Sequence, residues 1–564
     1  MYVKLSCLAA IAVALLPSSV VGRGKKIPFG RDVQLLAELG IEPDLDRHEY
    51  ASIHSAVSHS AMVTIKDEYV SIPIDHNNAS AGTYRNRFWV SDEFYQAGKP
   101  ILVYDAGETE AASVAQAHLT SSLSFFRSTL EEFNAMGIIW EHSVRYYGKS
   151  TPFPVNYDTP PEDYQYLTTK QALADLPYFA RNFSRKAHPE VDLTPAGTPW
   201  VMIGGSYAGI RAALTRQEYP DTIFAAWSSS APVQAQVNMT NYFDQVYRGM
   251  VASGWANCTK DIRAGLEYID EQLLSNQTAG SIKQLFLGSE AEKNSNGDFT
   301  AALVAMYGSF QSYGMDGGTA SLGAFCEYLE TDPNTNQTAG PDGLASIYGK
   351  QYVAERWAAW PVLTTLVNQN MDTNCRGQNT SLPLECDLSK PYGDPSAISW
   401  TWQYCTEWGF YQANNAGPHA LLSSYQTLEY QQHICNRQFP DAIKKGLLPA
   451  QPLTDQTNRE FGGWTIRPSN TYTSGGEFDP WRTLSVLSTE DTAPQGVQFS
   501  SDIPSCGVTT NENTVFGYIL EDSEHCFDFQ MLPTAGKLSR GMFSTALLQW
   551  LPCFGTGAGT STKS

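Results

Sequence analysis

The sequence predicts an α/β fold: a largely parallel sheet covered on both faces, interrupted by a large, mostly helical insertion. Three observations predict it. Between Lys99 and Pro232, short apolar runs alternate with stretches of helical spacing, the pattern of parallel strands joined by crossover helices. One strand-to-helix junction is the glycine-rich turn Gly204-Gly205-Ser206. From Gln236 to Ala442 the alternation stops, and it returns weakly at Asn470–Thr473 and clearly at Thr514–Leu520.

The elements run in order. Ile101–Tyr104 reads as a buried strand, followed by a helical stretch over Leu123–Met136 and a strand at Gly137–Trp140. Thr168–Phe183 places apolar residues at helical spacing. Trp200–Gly205 is the next strand, and the helix after it is stopped by Pro220. Phe224–Ser230 is another strand. The following segment carries cysteines, glycosylation sequons, loops rich in Asn, Gly and Pro, and long helical patterns such as Cys258–Leu274. The expected division is a signal peptide at 1–22, a first part of the α/β domain at 23–235, the helical insertion at 236–442, a second α/β part at 443–553 and a flexible tail at 554–564.

Composition narrows the function classes. The chain has 564 residues, 42% hydrophobic and 12% aromatic, which excludes a mainly disordered or fibrous protein. Its net charge of −21 repels phosphate backbones and acidic lipid surfaces, so neither nucleic acid nor membrane is an expected partner. Lys4, the apolar run Leu5–Leu16 and the small residues from Ser18 to Gly22 have the form of a secretory leader. Seven N-x-[ST] sequons agree with secretion, at Asn78, Asn182, Asn238, Asn257, Asn276, Asn336 and Asn379. Ten cysteines occur; Cys7 lies in the leader, leaving an odd nine, among which Cys375–Cys386 and Cys405–Cys435 are plausible local pairs. The expected location is extracellular, or a vacuolar or lysosome-like compartment.

The informative segment is Val201–Leu214. An apolar strand runs through Gly204-Gly205-Ser206-Tyr207-Ala208-Gly209 into a helix, the context of a nucleophile elbow. The usual G-x-S-x-G pattern is missed at one place, where Ala208 stands for glycine and Gly209 follows. A serine nucleophile needs a histidine base and an orienting carboxylate, which in an α/β-hydrolase follow in the order Ser, acid, His. Three histidines follow Ser206: His419 and His433 fall in the insertion, while His525 follows the apolar strand Thr514–Leu520. Asp479, after the strand and glycine turn Thr471–Gly476, is the best-placed acid; Glu477 is its rival, and Asp522, Glu524 and Asp528 lie close to His525.

These residues resemble the family of lysosomal prolylcarboxypeptidase, dipeptidyl peptidase II and the secreted fungal acid prolyl endopeptidases. Gly204–Gly209 is similar to its nucleophile motif, Asp479-Pro480-Trp481 to its D-P-W motif, and His525-Cys526-Phe527-Asp528 to the H-C-x-D segment of fungal members. Glu141–Pro152, Tyr166–Asp175, Ser229–Val233 and Trp402–Gln412 are further matching blocks. There are departures: Glu141–Gly148 carries two extra residues, Ser474–Phe478 lacks the usual N-G pair, and the first-strand loop Asp105–Ala111 has the fungal form.

The resemblance implies a serine peptidase acting through Ser206, Asp479 and His525, with an acyl-enzyme and no metal or organic cofactor. It implies an oxyanion hole from the N–H of Tyr207 and one around Gly107 or Glu108. It implies peptide or protein substrates cleaved on the carboxyl side of proline, with Trp408, Phe410 and Tyr411 as candidates to line a pyrrolidine pocket. Glu108 and Glu407 are the matching acids expected near substrate. A monomer or homodimer with an acidic pH optimum is expected. A broad-specificity serine carboxypeptidase and a secreted esterase or lipase are the alternatives. The first shares G-x-S-Y-A-G but has Glu where Gly205 stands.

Overall fold

The computed structural model describes residues 31–41, 65–141 and 145–556. The expected leader and most of the expected tail lie outside them. Strands β1 (Glu68–Pro73), β2 (Thr83–Ser91), β3 (Ile101–Asp105), β4 (Met136–Trp140), β5 (Trp200–Gly205), β6 (Ala225–Ser229), β7 (Thr471–Gly476), β8 (Gln498–Ser500) and β9 (Thr514–Leu520) form one nine-stranded sheet. Its order is β1-β2-β4-β3-β5-β6-β7-β9-β8. Neighbours pair parallel from β4 onward, and β2 alone runs against the rest. This is the α/β-hydrolase arrangement, with the Ser206 turn after a central strand.

Every residue of β3, β4, β5 and β6 is buried, because both faces are covered. On one face Leu102, Tyr104, Val201, Ile203 and Trp227 pack against Phe125 and Phe126 of a covering helix. On the other, Ile101, Val103, Trp200 and Met202 meet Leu176 and Phe179. The covering helices include α2 (Ala112–Thr120), α3 (Phe125–Phe133), α4 (Thr169–Ala180) and α5 (Tyr207–Glu218), while α1 (Arg31–Glu38) packs against the short helix Phe310–Tyr313 of the insertion. Side chains cap two of them: Ser124 accepts the Arg127 N–H, and Thr168 that of Gln171.

Strands β1 and β2 and helix α1 were not expected. β2 reads as polar because Asn86 and Arg87 sit in it, yet both are buried. Arg87 is held there by ion pairs to Glu141 and Glu110, so a charged residue occupies a position that hydropathy assigns to the surface.

Between β6 and β7 the chain builds the helical insertion, including α6 (Asn241–Ala252), α7 (Ala256–Leu274), α8 (Pro395–Gln403) and α9 (Thr454–Phe461). The main sheet resumes at Thr471, and α9 still packs on the short strand 236–238 and the turn 404–408 of the insertion. A single apolar core runs from Tyr207 and Ile210 of α5 into Phe243, Trp402 and Trp408. Three disulfides lie in this region, Cys258–Cys326, Cys375–Cys386 and Cys405–Cys435. A fourth, Cys506–Cys553, ties the end of helix α10 (Thr534–Trp550) to the sheet side. Cys526 remains a free, buried thiol. Six sequon asparagines are exposed; Asn257 is half-buried and donates its amide to the Ala339 carbonyl.

Candidate active site

Ser206 stands between β5 and α5 with φ +61° and ψ −131°. A non-glycine residue rarely adopts that backbone, which stores strain at the turn. The neighbours show what the turn demands. A Cβ on Gly204 would strike the Ala208 carbonyl, and one on Gly209 would lie 2.6 Å from the Ser229 oxygen. A Cβ on Gly205 would meet Cys526 Sγ at 2.8 Å. Close approach therefore falls on Gly204, Gly205 and Gly209, and Ala208 fits where glycine is usual.

Asp479 and His525 come from the loops after β7 and β9. His525 Nδ1 lies 2.9 Å from Asp479 Oδ1, and both side chains are buried. Asp479 Oδ1 also accepts the Trp481 N–H at 2.9 Å. Backbone bonds zip the two loops together: Glu477 N–H donates to Leu520 O and Phe478 N–H to Ser523 O. Gly476 permits this, since a Cβ there would collide with the Ser523 and Glu524 carbonyls. Burial opposes the charge on His525, but the Asp479 carboxylate and the Cys526 thiol outweigh it and hold the imidazole well above its ordinary value.

The other acids have different partners. Glu477 accepts the Asp522 N–H. Asp528 accepts the hydroxyls of Ser229 and Ser474 and so clasps β6 to β7. Glu524 is buried, which pushes its carboxyl up to about 8, with Asp479 adding to the effect. His419 stacks on Tyr247 and His433 is exposed on the insertion.

Ser206, Tyr207 and His525 line one cavity of about 430 Å³ that reaches into the insertion. Its wall carries Trp400, Phe410, Tyr411 and Trp481. Phe410 has φ +60°, and it packs edge-on to Trp481 at 5.4 Å. Gly409 before it also has positive φ, and a Cβ there would lie 2.5 Å from the Gln236 oxygen.

Three of the expected site residues do not line this cavity. The Gly107 N–H is turned onto Asp105 Oδ1 at 3.0 Å, so it does not face the cavity; Glu108, the other residue considered there, does line it. Glu407 and Trp408 are not among the lining residues. Glu407 is buried, which pushes it up to about 7, and it accepts the Thr169 N–H and hydroxyl. Trp408 Nε1 and the Tyr207 hydroxyl also meet Thr169 Oγ1. Glu407 and Trp408 therefore hold Thr169 and, through it, the ring of Tyr207.

Two residues were missed. Gln311, in the insertion, receives the His525 N–H on its backbone oxygen at 2.9 Å. Its side-chain oxygen accepts from Tyr242 and Trp481, each at 3.1 Å. Gln34 of α1 lines the cavity and bonds to Ser312 Oγ at 2.9 Å. No local pattern marks either, since each lies about two hundred or more positions from the histidine it adjoins.

A family model described as serine carboxypeptidase S28 matches residues 73–498. The chain is 27% identical over 449 residues to a probable extracellular serine carboxypeptidase of Arthroderma benhamiae, covering 74% of this chain and 59% of that protein's length. It is 26% identical over 526 residues to the thymus-specific serine protease of Mus musculus, covering 89% of this chain and 91% of that one. A lysosomal Pro-X carboxypeptidase of the same animal is 24% identical over 427 residues, 73% of this chain and 78% of that one.

Proposed function

This chain is a serine-type peptidase belonging to the serine carboxypeptidase S28 family, and we propose that it cleaves peptide bonds on the carboxyl side of proline through Ser206, His525 and Asp479. The observation that carries the reading is one cavity holding Ser206 and His525 against an aromatic wall, with Asp479 bonded to the far side of the imidazole.

In this reading Ser206 Oγ attacks the scissile carbonyl as His525 Nε2 takes its proton. Asp479 keeps the Nδ1 proton in place and stabilises the cation that forms. The oxyanion is met by the Tyr207 N–H, at the start of α5, and by the Glu108 N–H. The first N–H groups of a helix have no acceptor within it and carry its positive end. His525 then protonates the leaving amine, and water repeats the sequence on the acyl-enzyme. The ring of a proline would pack against Phe410, Trp400 and Trp481, aromatic faces suited to a flat apolar ring. The name of the mouse Pro-X relative supports the same preference.

The charge of the cavity bears on direction. Glu108, Glu110 and Asp394 line it, and no lysine or arginine is among the lining residues. That supports internal or amino-end-directed cleavage over release of a residue with a free carboxylate, which is the rival reading of a broad carboxypeptidase. A leader, disulfides and exposed sequons support secretion or delivery to an acidic vesicle.

Mass spectrometry of products from a long peptide containing internal proline tests both points. Fragments ending in proline are expected, with amidation of the substrate's carboxyl end leaving the rate unchanged. Removal of single carboxyl-terminal residues without regard to proline refutes both. Ser206→Ala should abolish cleavage and fluorophosphonate labelling while leaving the fold intact.

A further inference from the structure

A buried ion pair lies beneath the two N–H groups assigned to the oxyanion. Asp105 ends β3, and Arg211 lies on α5, the helix that begins at Tyr207. Both side chains are fully buried, with Arg211 Nε 3.2 Å from Asp105 Oδ2. The other carboxylate oxygen accepts the Gly107 N–H at 3.0 Å. One carboxylate thus grips the nucleophile helix on one side and the turn leading to Glu108 on the other. The ladder between β3 and β5 ends at Tyr104 and Ile203, so the pair continues the link past the point where the sheet stops making it.

We propose that Asp105 and Arg211 form a positioning couple that sets the separation of the Tyr207 and Glu108 N–H donors. The proposal rests on the triad reading above. An oxyanion hole works only when both donors fall within about 2.7–3.1 Å of the developing charge. Here the donors belong to different chain segments, and a misplacement of roughly 1 Å can cost about a hundredfold. Stability alone explains such a pair poorly, because a buried ion pair can often be replaced by apolar side chains without loss.

The test is the double variant Asp105→Asn/Arg211→Met, which removes both charges and strands neither. A peptidyl-proline boronate is the probe: its boron accepts the Ser206 Oγ lone pair, the hydroxyl proton passes to His525, and the tetrahedral adduct occupies the oxyanion site. The folded double variant should keep KM within about twofold, lose kcat about 10–100-fold and lose boronate affinity by the same factor. A product peptide, which forms no adduct, should bind as before. Unchanged kcat and boronate affinity in the folded variant overturn the proposal. If the double variant does not fold, Arg211→Lys keeps the charge but withdraws the guanidinium, and the same readouts decide. Ser206→Ala runs alongside: an active Ser206→Ala enzyme defeats the triad reading itself, whereas an inert one beside an unaffected double variant defeats only the positioning role.

Discussion

The turn at Ser206 and the cavity wall in the insertion are built by different means. At the turn, and again where the Asp479 and His525 loops meet, backbone presses on backbone: Gly204, Gly209 and Gly476 face carbonyl oxygens that leave no room for a Cβ. In the wall, Gly409 does the same against the Gln236 oxygen, and Phe410, the residue after it, lines the cavity. The rest is aromatic packing on helices held by three disulfides. Under the proposed reading, the geometry of the chemistry is written in main-chain contacts, while selectivity is carried by side chains that can be exchanged one at a time.

The strongest way to break that contrast is on the chemical side. Asp479→Asn should lower kcat/KM by roughly 10⁴-fold with the fold retained. Its pH profile sharpens the point. Asp479 holds the imidazole above its ordinary value, and the base must be unprotonated, so kcat/KM should rise with pH through that raised value. Removing the carboxylate leaves burial, which acts the other way, opposed only by Cys526, and the limb should move to lower pH. Gly204→Ala should come next, with a loss of about a hundredfold or more in kcat and reduced fluorophosphonate labelling, since the elbow must shift to admit a methyl group.

On the wall side, Phe410→Ala should cut kcat/KM for a proline peptide about 10–100-fold and change hydrolysis of a small aryl ester by less than about threefold. A comparable loss on both substrates would place Phe410 with the chemistry instead. The smallest effect is on stability. Burial raises Glu407 to about 7, Glu524 to about 8 and Glu330, with Asp261 beside it, to about 9. Each binds its proton more tightly folded than unfolded, so its stabilisation is complete below the ordinary carboxyl value and is lost as pH rises through 7 to 9. The melting temperature should be highest near pH 4–5 and fall by a few degrees toward pH 9. This leans toward acid, whereas the raised His525 pulls activity the other way. The acidic optimum expected from net charge and resemblance thus has support from the fold's stability and opposition from its base.

The central strands were legible because burial on both faces writes them as continuous apolar runs, and Thr514–Leu520 was readable residue for residue. Chain order and strand context pointed to Ser206 and His525, which the structure brings to one cavity. β2 was not legible, because paired charges disguise Arg87. Nor could spacing tell that the Gly107 N–H folds back onto Asp105, or that Glu407 and Trp408 brace Tyr207 from behind. Those facts depend on side-chain directions across segments far apart in the chain.

The bond from the His525 N–H to Gln311 carries a consequence for anyone recombining this protein. The cap does not sit on the hydrolase as a separable cover; one of its carbonyls tethers His525, the proposed base. A chimera given a relative's cap would need to supply an equivalent acceptor at that spot, or it would inherit a new pocket together with a slack imidazole.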